Sequence, residues 1–261
     1  IIRDVIQNHL TQILALIAME KPKSLDAEAI RDEKVAVLKC VEPARLEDCV
    51  LGQYTASEDG KIPGYLEDDT VPKGSNCPTF ASMALTINND RWQGVPFIVK
   101  AGKALDSKVV LIRIQFKDEV RPYGNVVQRN ELVIRAQPDE SMYLKITTKS
   151  PGLGTEVHQT ELDLSYKHRY DEIRLPEAYE SLINEVVLGN STNFVRSDEL
   201  EAAWNIYTPL LNQIEEQKVP VTPYVAGSRG PKSADALAEK CGYKRTTGYE
   251  WAPSHFPRSK H

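Results

Sequence analysis

The chain has 261 residues, 41% apolar and 26% charged, with a net charge of −5; these are the proportions of an ordinary globular protein of one large or two small domains, and the acidic balance disfavours general nucleic-acid binding. Its longest uninterrupted apolar run, Ile13 to Met19, is far too short to span a bilayer, and Arg3, Asp4 and His9 break the opening stretch as a signal peptide. Cys40, Cys49, Cys77 and Cys241 form no C-x-x-C pair and have no histidine at ligand spacing, so no metal site is expected and reduced thiols of a cytoplasmic protein fit best.

The first predicted element covers 1–20, IIRDVIQNHLTQILALIAME, read as an α-helix stopped by Lys21-Pro22. Asp4 is placed to cap it, and Gln7 three residues later completes a D-x-x-Q capping box. Its second half is apolar on every side, which predicts burial all round. A second helix covers 27–40, after a cap at Ser24-Leu25-Asp26, and a short strand covers 50–54. Residues 55–78, rich in Gly, Pro, Asp and Ser, read as a long loop. Strands follow at 79–87, 95–100, 109–116, 130–137, 142–148 and 161–166; strands in succession without helices between them predict an antiparallel sheet. Helices return at 176–188, with Pro176 in the first turn, and at 198–217, with Ser197 as cap, Pro209 as kink and Leu200, Trp204, Leu211 and Ile214 facing inward. Residues 218–232 carry three prolines and no period, and 233–241 is a last short helix closed by Gly242. Helices, a run of strands, then helices is an α+β pattern: one large, mostly antiparallel sheet with helices packed on one face. The chain opens without Met, directly in an apolar helix, and is expected to be part of a longer one.

Three groups could do chemistry. His9 is either a general base, since imidazole titrates near neutral pH, or a histidine satisfied by a neighbour, and the residues by themselves favour the second. On an ideal α-helix five residues turn by about 500°, which leaves Asp4 and His9 about 140° apart and not bonded to each other. Lys100, Lys103, Lys108 and Arg113 make a basic loop between strands, with Gly102 letting the backbone turn; this suits a phosphate or is a solvated loop. Arg135 and Gln137 share one strand face, Tyr143 and Lys145 another, a polar surface that meets either a ligand or water. No G-x-G-x-x-G, G-x-x-x-x-G-K-[ST] or G-x-S-x-G occurs.

The blocks IIRDVIQNHLTQ, MEKP, RDEKVAVLK, VLGQY, GVPFIVKAGKAL, RNELVIRAQP, FVRSDELEAAW and GSRGP, in this order, resemble the glucose-6-phosphate 1-dehydrogenase family. The likeness covers 1–251, the C-terminal β+α portion that binds substrate and mediates oligomerisation, with 252–261 as a tail; the N-terminal Rossmann coenzyme domain is absent from this chain. The resemblance implies oxidation of D-glucose 6-phosphate to 6-phosphogluconolactone by hydride transfer to NADP⁺, the first step of the oxidative pentose phosphate pathway. It implies His9 as the base, and Asp4, Lys103, Lys108 and Gln137 as substrate-binding groups. It further implies a second, structural NADP⁺ held by Lys100, Arg113, Arg135, Tyr143, Lys145, Asp163, Arg229 and Trp251. Val109 stands where that pattern has a lysine and Arg245 where it has a stacking tyrosine. A homodimer or homotetramer in the cytoplasm, with no nucleic-acid or membrane partner, is the expected assembly. The alternative is a non-catalytic NADP⁺-binding and oligomerising module.

Overall fold

The computed structural model describes residues 1–118, 128–170 and 176–245. In chain order it runs from a π-helical segment Ile2–Leu10 through α1 (Thr11–Ala18), α2 (Ala27–Lys39), β1 (Cys49–Thr55), β2 (Phe80–Thr86), β3 (Pro96–Gly102), β4 (Val110–Gln115), β5 (Glu131–Gln137), β6 (Ser141–Lys149), β7 (Val157–Ser165), α3 (Tyr166–Arg169), α4 (Ala178–Val187), α5 (Ser197–Glu216) and β8 (Thr222–Val225) to α6 (Lys232–Lys240). The mixed α and antiparallel β content is that of the expected α+β class, but the strands divide between two sheets of four. They belong to two compact units, Ile1–Asp106 with Pro176–Gly242, and Ser107–Leu175 with the residues from Tyr243 on. No described helix is long and apolar enough to cross a membrane.

In the first unit the strand order is β3-β2-β1-β8, antiparallel except that β8 joins β1 in parallel. The central strand β2 is buried on both faces. Ala81, Met83 and Leu85 enter the main core with Ile2, Ile6, Leu14, Ile206, Tyr207 and Leu210. Phe80 points the other way, into a smaller core with Tyr224 and Ala234, so α6 covers part of the second face. Strand β8 falls within 218–232, where Pro220 and Pro223 hid it: an edge strand tolerates proline, and its pairing to β1 is a long-range choice.

Several local expectations are corrected. The chain over Ile2–Leu10 is not α-helical, and Asp4 does not cap it; the N-cap position is Ile1, without a side-chain bond. Thr11, at the junction with α1, donates both its backbone N–H and its hydroxyl (3.0 Å) to the carbonyl of Ile6, five residues back. Its hydroxyl also lies 2.9 Å from that of Tyr207, so one buried polar pair ties the π-to-α transition to α5. Gln7, assigned to the capping box, is instead buried and accepts a bond from Arg3 (2.7 Å). The apolar second half is not buried all round: Leu16 is exposed.

On α5 the inward face is Glu199, Ala202, Ala203, Ile206, Tyr207 and Leu210, while Leu200 and Trp204 are exposed. Small alanines allow close approach of the packed neighbours, and the charged Glu199 is accepted because Lys34 of α2 meets it at 2.8 Å. Trp204 stacks outside, under the Arg3 guanidinium at 3.8 Å. Ser197 is the first helical residue of α5 and not its cap, and α4 begins after Pro176, with Glu177 at the N-cap.

In the second unit, β4-β5-β6-β7 form a wholly antiparallel meander. Its register sets two faces. One carries the cross-strand rows Ile112–Ile134–Met142–Leu164 and Ile114–Leu132–Leu144–Leu162. The other carries Arg113–Val133–Tyr143–Asp163 and Gln115–Glu131–Lys145–Glu161. The polar face is the more buried: Glu131, Tyr143 and Lys145 are buried, whereas the apolar rows are half-buried and Leu162 is exposed.

Candidate functional site

The π-helical segment packs against β3 and α5 and leaves Asp4, Asn8 and His9 exposed. A π-helix has about 4.4 residues per turn, so positions five apart differ by only about 50° around the axis. Asp4 and His9 therefore stand on neighbouring parts of one surface, and the wide separation expected from α geometry is corrected. No hydrogen bond or ion pair joins the two among the described residues.

Lys103 follows directly on β3, and its main chain is fixed on both sides. Its N–H donates to the Thr79 carbonyl at 2.9 Å. Its carbonyl accepts the buried hydroxyl of Tyr224 at 2.7 Å. The Lys103 side chain itself is exposed. Gly102 is required for a reason other than turning: a Cβ there would lie 2.7 Å from Cδ2 of Phe80. Gly230, in the G-S-R-G-P loop, meets the same ring, with its virtual Cβ 2.5 Å from Cε2. Phe80 thus packs against both loops through positions where only hydrogen fits.

Those two loops are also joined through the backbone. Gly227 N–H donates to Ala104 O (2.8 Å), and Asp106 N–H to Ser228 O (2.9 Å). Lys100 Nζ donates to the Arg229 carbonyl at 2.8 Å and sits 5.5 Å from the Phe80 ring. Although Lys100 is exposed as a residue, desolvation of its ammonium end and the neighbouring Arg229 guanidinium lower its pKa. Arg229 Nη2 pairs with Asp235 at 3.1 Å.

In the second unit, Arg113, Tyr143, Lys145, Arg135 and Asp163 share the polar face of the meander, as the period-two reading of β5 and β6 implied. The charge at its centre is Glu131, which sequence reasoning passed over although it lies two and four residues from Val133 and Arg135 on the same face. Its Oε2 is 3.0 Å from Arg113 Nη1 and 3.3 Å from Lys145 Nζ, and its Oε1 accepts the Tyr243 hydroxyl at 3.2 Å. Burial lowers the pKa of Lys145 against the opposing pull of Glu131, and burial raises that of Tyr143. Arg135 Nε donates to the Pro138 carbonyl at 2.5 Å. Gln137 and Lys108 are exposed in this unit, Val109 is half-buried and Arg245 is exposed.

The residues singled out from sequence therefore fall into two sets. Asp4, His9, Lys100, Lys103 and Arg229 belong to the first unit; Lys108, Arg113, Arg135, Gln137, Tyr143, Lys145 and Asp163 belong to the second. Trp251 lies outside the described residues. No group of acidic, histidine and cysteine residues able to hold a metal occurs among the described residues.

The chain matches the profile of the glucose-6-phosphate dehydrogenase C-terminal domain over residues 1–252. It is 53% identical over 260 residues to glucose-6-phosphate 1-dehydrogenase of Dictyostelium discoideum, covering 99% of this chain and 52% of that protein. It is 55% identical over 258 residues to glucose-6-phosphate 1-dehydrogenase 5, cytoplasmic, of Arabidopsis thaliana, covering 97% of this chain and 48% of that one. A solved glucose-6-phosphate dehydrogenase in complex with its substrate glucose-6-phosphate superposes with a TM-score of 0.90 at 48% identity, over 95% of this chain and 51% of that chain.

Proposed function

The chain belongs to the glucose-6-phosphate dehydrogenase family, as its C-terminal domain, and from that premise we propose that it supplies the base and part of the substrate pocket for oxidation of D-glucose 6-phosphate at C1. The chain spans about half the length of the curated relatives it matches (52% and 48% of the two above), so in this reading the activity belongs to a longer protein and the chain by itself is inactive. The supporting observation is the packing of the segment bearing Asp4 and His9 against β3, the strand that ends at the pinned Lys103.

The division of labour follows from chemistry. A ring nitrogen of His9 takes the proton of the C1 hydroxyl as the C1 hydride leaves, and the new C1=O bond gives the lactone. The Asp4 carboxylate accepts hydrogen bonds from sugar hydroxyls. The Lys103 ammonium binds the substrate and so fixes C1 against the base. NADP⁺, when bound by the remainder of the longer protein, supplies the hydride acceptor. The decisive assay uses the full-length protein: it reduces NADP⁺ when given glucose 6-phosphate and not galactose 6-phosphate. A rate with glucose 6-phosphate no higher than without it overturns the reading.

A nucleotide-binding role beside the catalytic one is supported by the polar face of the meander. Arg113, Arg135 and Lys145 offer cations for phosphates and Tyr143 a ring for stacking, a donor set that fits a dinucleotide. Val109 brings no charge, and Arg245 offers its guanidinium plane in place of a ring. The two half-buried apolar rows on the opposite face suit a second copy of the chain, giving a dimer or a tetramer, and a cytoplasmic location goes with free thiols. Calorimetric titration of the chain with NADP⁺ tests the nucleotide role; absence of measurable heat removes it.

A further inference from the structure

Lys103 is an exposed side chain on a backbone that does not move freely, and the groups holding that backbone are themselves linked. The Tyr54 N–H donates to Thr79 Oγ1 at 3.1 Å. Thr79 Oγ1 and Tyr224 Oη are 3.1 Å apart, and Tyr224 Oη lies 2.7 Å from the Lys103 carbonyl oxygen. A phenol has one proton, and a carbonyl can only accept. Tyr224 Oη also lies 3.5 Å from the Thr79 carbonyl, but the Lys103 carbonyl at 2.7 Å is by far the nearer acceptor; the proton of Tyr224 therefore goes to Lys103, which makes Thr79 the donor to Tyr224 and the acceptor from Tyr54. The direction of every bond in the relay is fixed: Tyr54 N–H to Thr79, Thr79 O–H to Tyr224, Tyr224 O–H to Lys103. The Lys103 N–H closes the ring on the Thr79 carbonyl at 2.9 Å.

The relay joins three elements that are distant in sequence: β1 at Tyr54, the entry to β2 at Thr79, and β8 at Tyr224. It acts where the chain is strained. Ala104, directly after Lys103, has φ of 49°, a left-handed conformation that a residue with a Cβ rarely adopts. Such a conformation persists only when its neighbours over-determine it. Here they do: Tyr224 and Thr79 hold Lys103, and Gly227 N–H holds the Ala104 carbonyl at 2.8 Å. Tyr224 is wedged between Phe80 and Tyr54 in edge-to-face contacts at 5.6 and 6.3 Å, which hold its ring and keep its hydroxyl beside the Lys103 carbonyl.

We infer that Tyr224, acting through its hydroxyl and the Thr79 hydroxyl behind it, is a positioning residue that sets the direction in which Lys103 meets the substrate. The inference rests on the substrate-binding role given to Lys103 above. Tyr224 is buried and does not itself reach substrate; its contribution is to keep the backbone of Lys103 in the one conformation that presents the ammonium.

The test separates this from a general loss of fold and from an error in the role of Lys103. In the Tyr224→Phe variant of the full-length protein, the ring packing is kept and only the hydroxyl is lost. Hydrogen exchange of the peptide containing Lys103 and Ala104 is expected to quicken about tenfold, with the rest of β3 unchanged. KM for glucose 6-phosphate is expected to rise about tenfold with kcat within about twofold and the melting temperature within a few degrees. Thr79→Val reproduces the rise in KM and Thr79→Ser reverses it. Unchanged KM in Tyr224→Phe overturns the inference, and so does a parallel collapse of KM, kcat and melting temperature, which would mark Tyr224 as structural only. Lys103→Ala serves as the reference. If that variant keeps the KM of the parent, the substrate role of Lys103 fails and the positioning role falls with it, whatever the exchange rate shows.

Discussion

Glu131 and Lys145 face each other across β5 and β6 with carboxylate and ammonium 3.3 Å apart, and both side chains are only 4% exposed. Two opposite charges out of water hold each other because each would be costly alone. Arg113 reaches the same carboxylate oxygen, so Glu131 balances two cations on one sheet face. Glu131→Gln is expected to destabilise the folded chain by about 3 kcal/mol, because it removes the carboxylate that Lys145 and Arg113 share. Urea unfolding measures it, and the loss should shrink when NADP⁺ is present, because phosphate then supplies the missing negative charge. A variant as stable as the parent without nucleotide would show that water reaches Lys145.

His9→Ala addresses the base directly. In the full-length protein kcat should fall by about 10² to 10⁴, the usual contribution of a positioned base, with a smaller change in KM. Turnover near that of the parent removes His9 from the proton step.

The buried phenol of Tyr207 gives the fold an alkaline limit. Burial pushes its pKa up to about 12, against an ordinary value of 10, with the Thr11 hydroxyl pulling the other way. A raised pKa in the folded state means the stabilisation is complete below pH 10 and is lost as the pH climbs toward 12. Two units correspond to about 2–3 kcal/mol. Tyr207→Phe should flatten this part of the stability curve, read from urea midpoints at pH 9, 10 and 11. A midpoint curve parallel to that of the parent would contradict it.

The apolar rows of the meander predict the assembly. Leu144 sits near the middle of one row, between Leu132 and Leu162. Leu144→Lys places a charge on a surface that a partner copy would have to desolvate, and light scattering should then report a monomer, against the dimer or larger assembly expected of the parent. A variant that retains the mass of the parent assembly assigns the interface elsewhere.

Thiol chemistry offers an independent check of packing. Burial pushes the Cys49 thiol up to about 12, so almost none of it is thiolate at pH 8, whereas Cys77 is exposed. Iodoacetamide at pH 8 should label Cys77 in the folded protein and reach Cys49 only after denaturation, as peptide mass spectrometry would show. Early labelling of Cys49 would mean that β1 opens locally.

Much of this was legible along the chain because its signals are local. Period two placed Arg135 with Gln137 and Tyr143 with Lys145 before any register was known, and α2, α4 and α5 begin and end within two residues of their expected limits. The errors came where a neighbour overrode local preference. An acid before an apolar run normally caps a helix, but here Asp4 lies within a π-helix that ends where Thr11 bonds Ile6 and meets Tyr207 of α5. The amphipathic pattern of α5 puts Leu200 and Trp204 inward, yet both are exposed; the inner face includes Ala202 and Ala203, which let packed elements come close, and Glu199, which Lys34 neutralises.

The sequence by itself therefore determined the family and the order of the long helices and of β1 to β7, and it singled out the residues proposed for base, substrate and nucleotide chemistry, since each is written in residue type and spacing. Only the tertiary structure decided that Asp4 and His9 share one surface, that Glu131 is the counter-charge of Arg113 and Lys145, and that Thr79, Phe80 and Tyr224 hold Lys103 in place. The reason is physical: these relationships depend on helix pitch, strand register and the pairing of β1 with β8. All three are fixed by contacts between residues far apart in the chain, where no periodicity reaches.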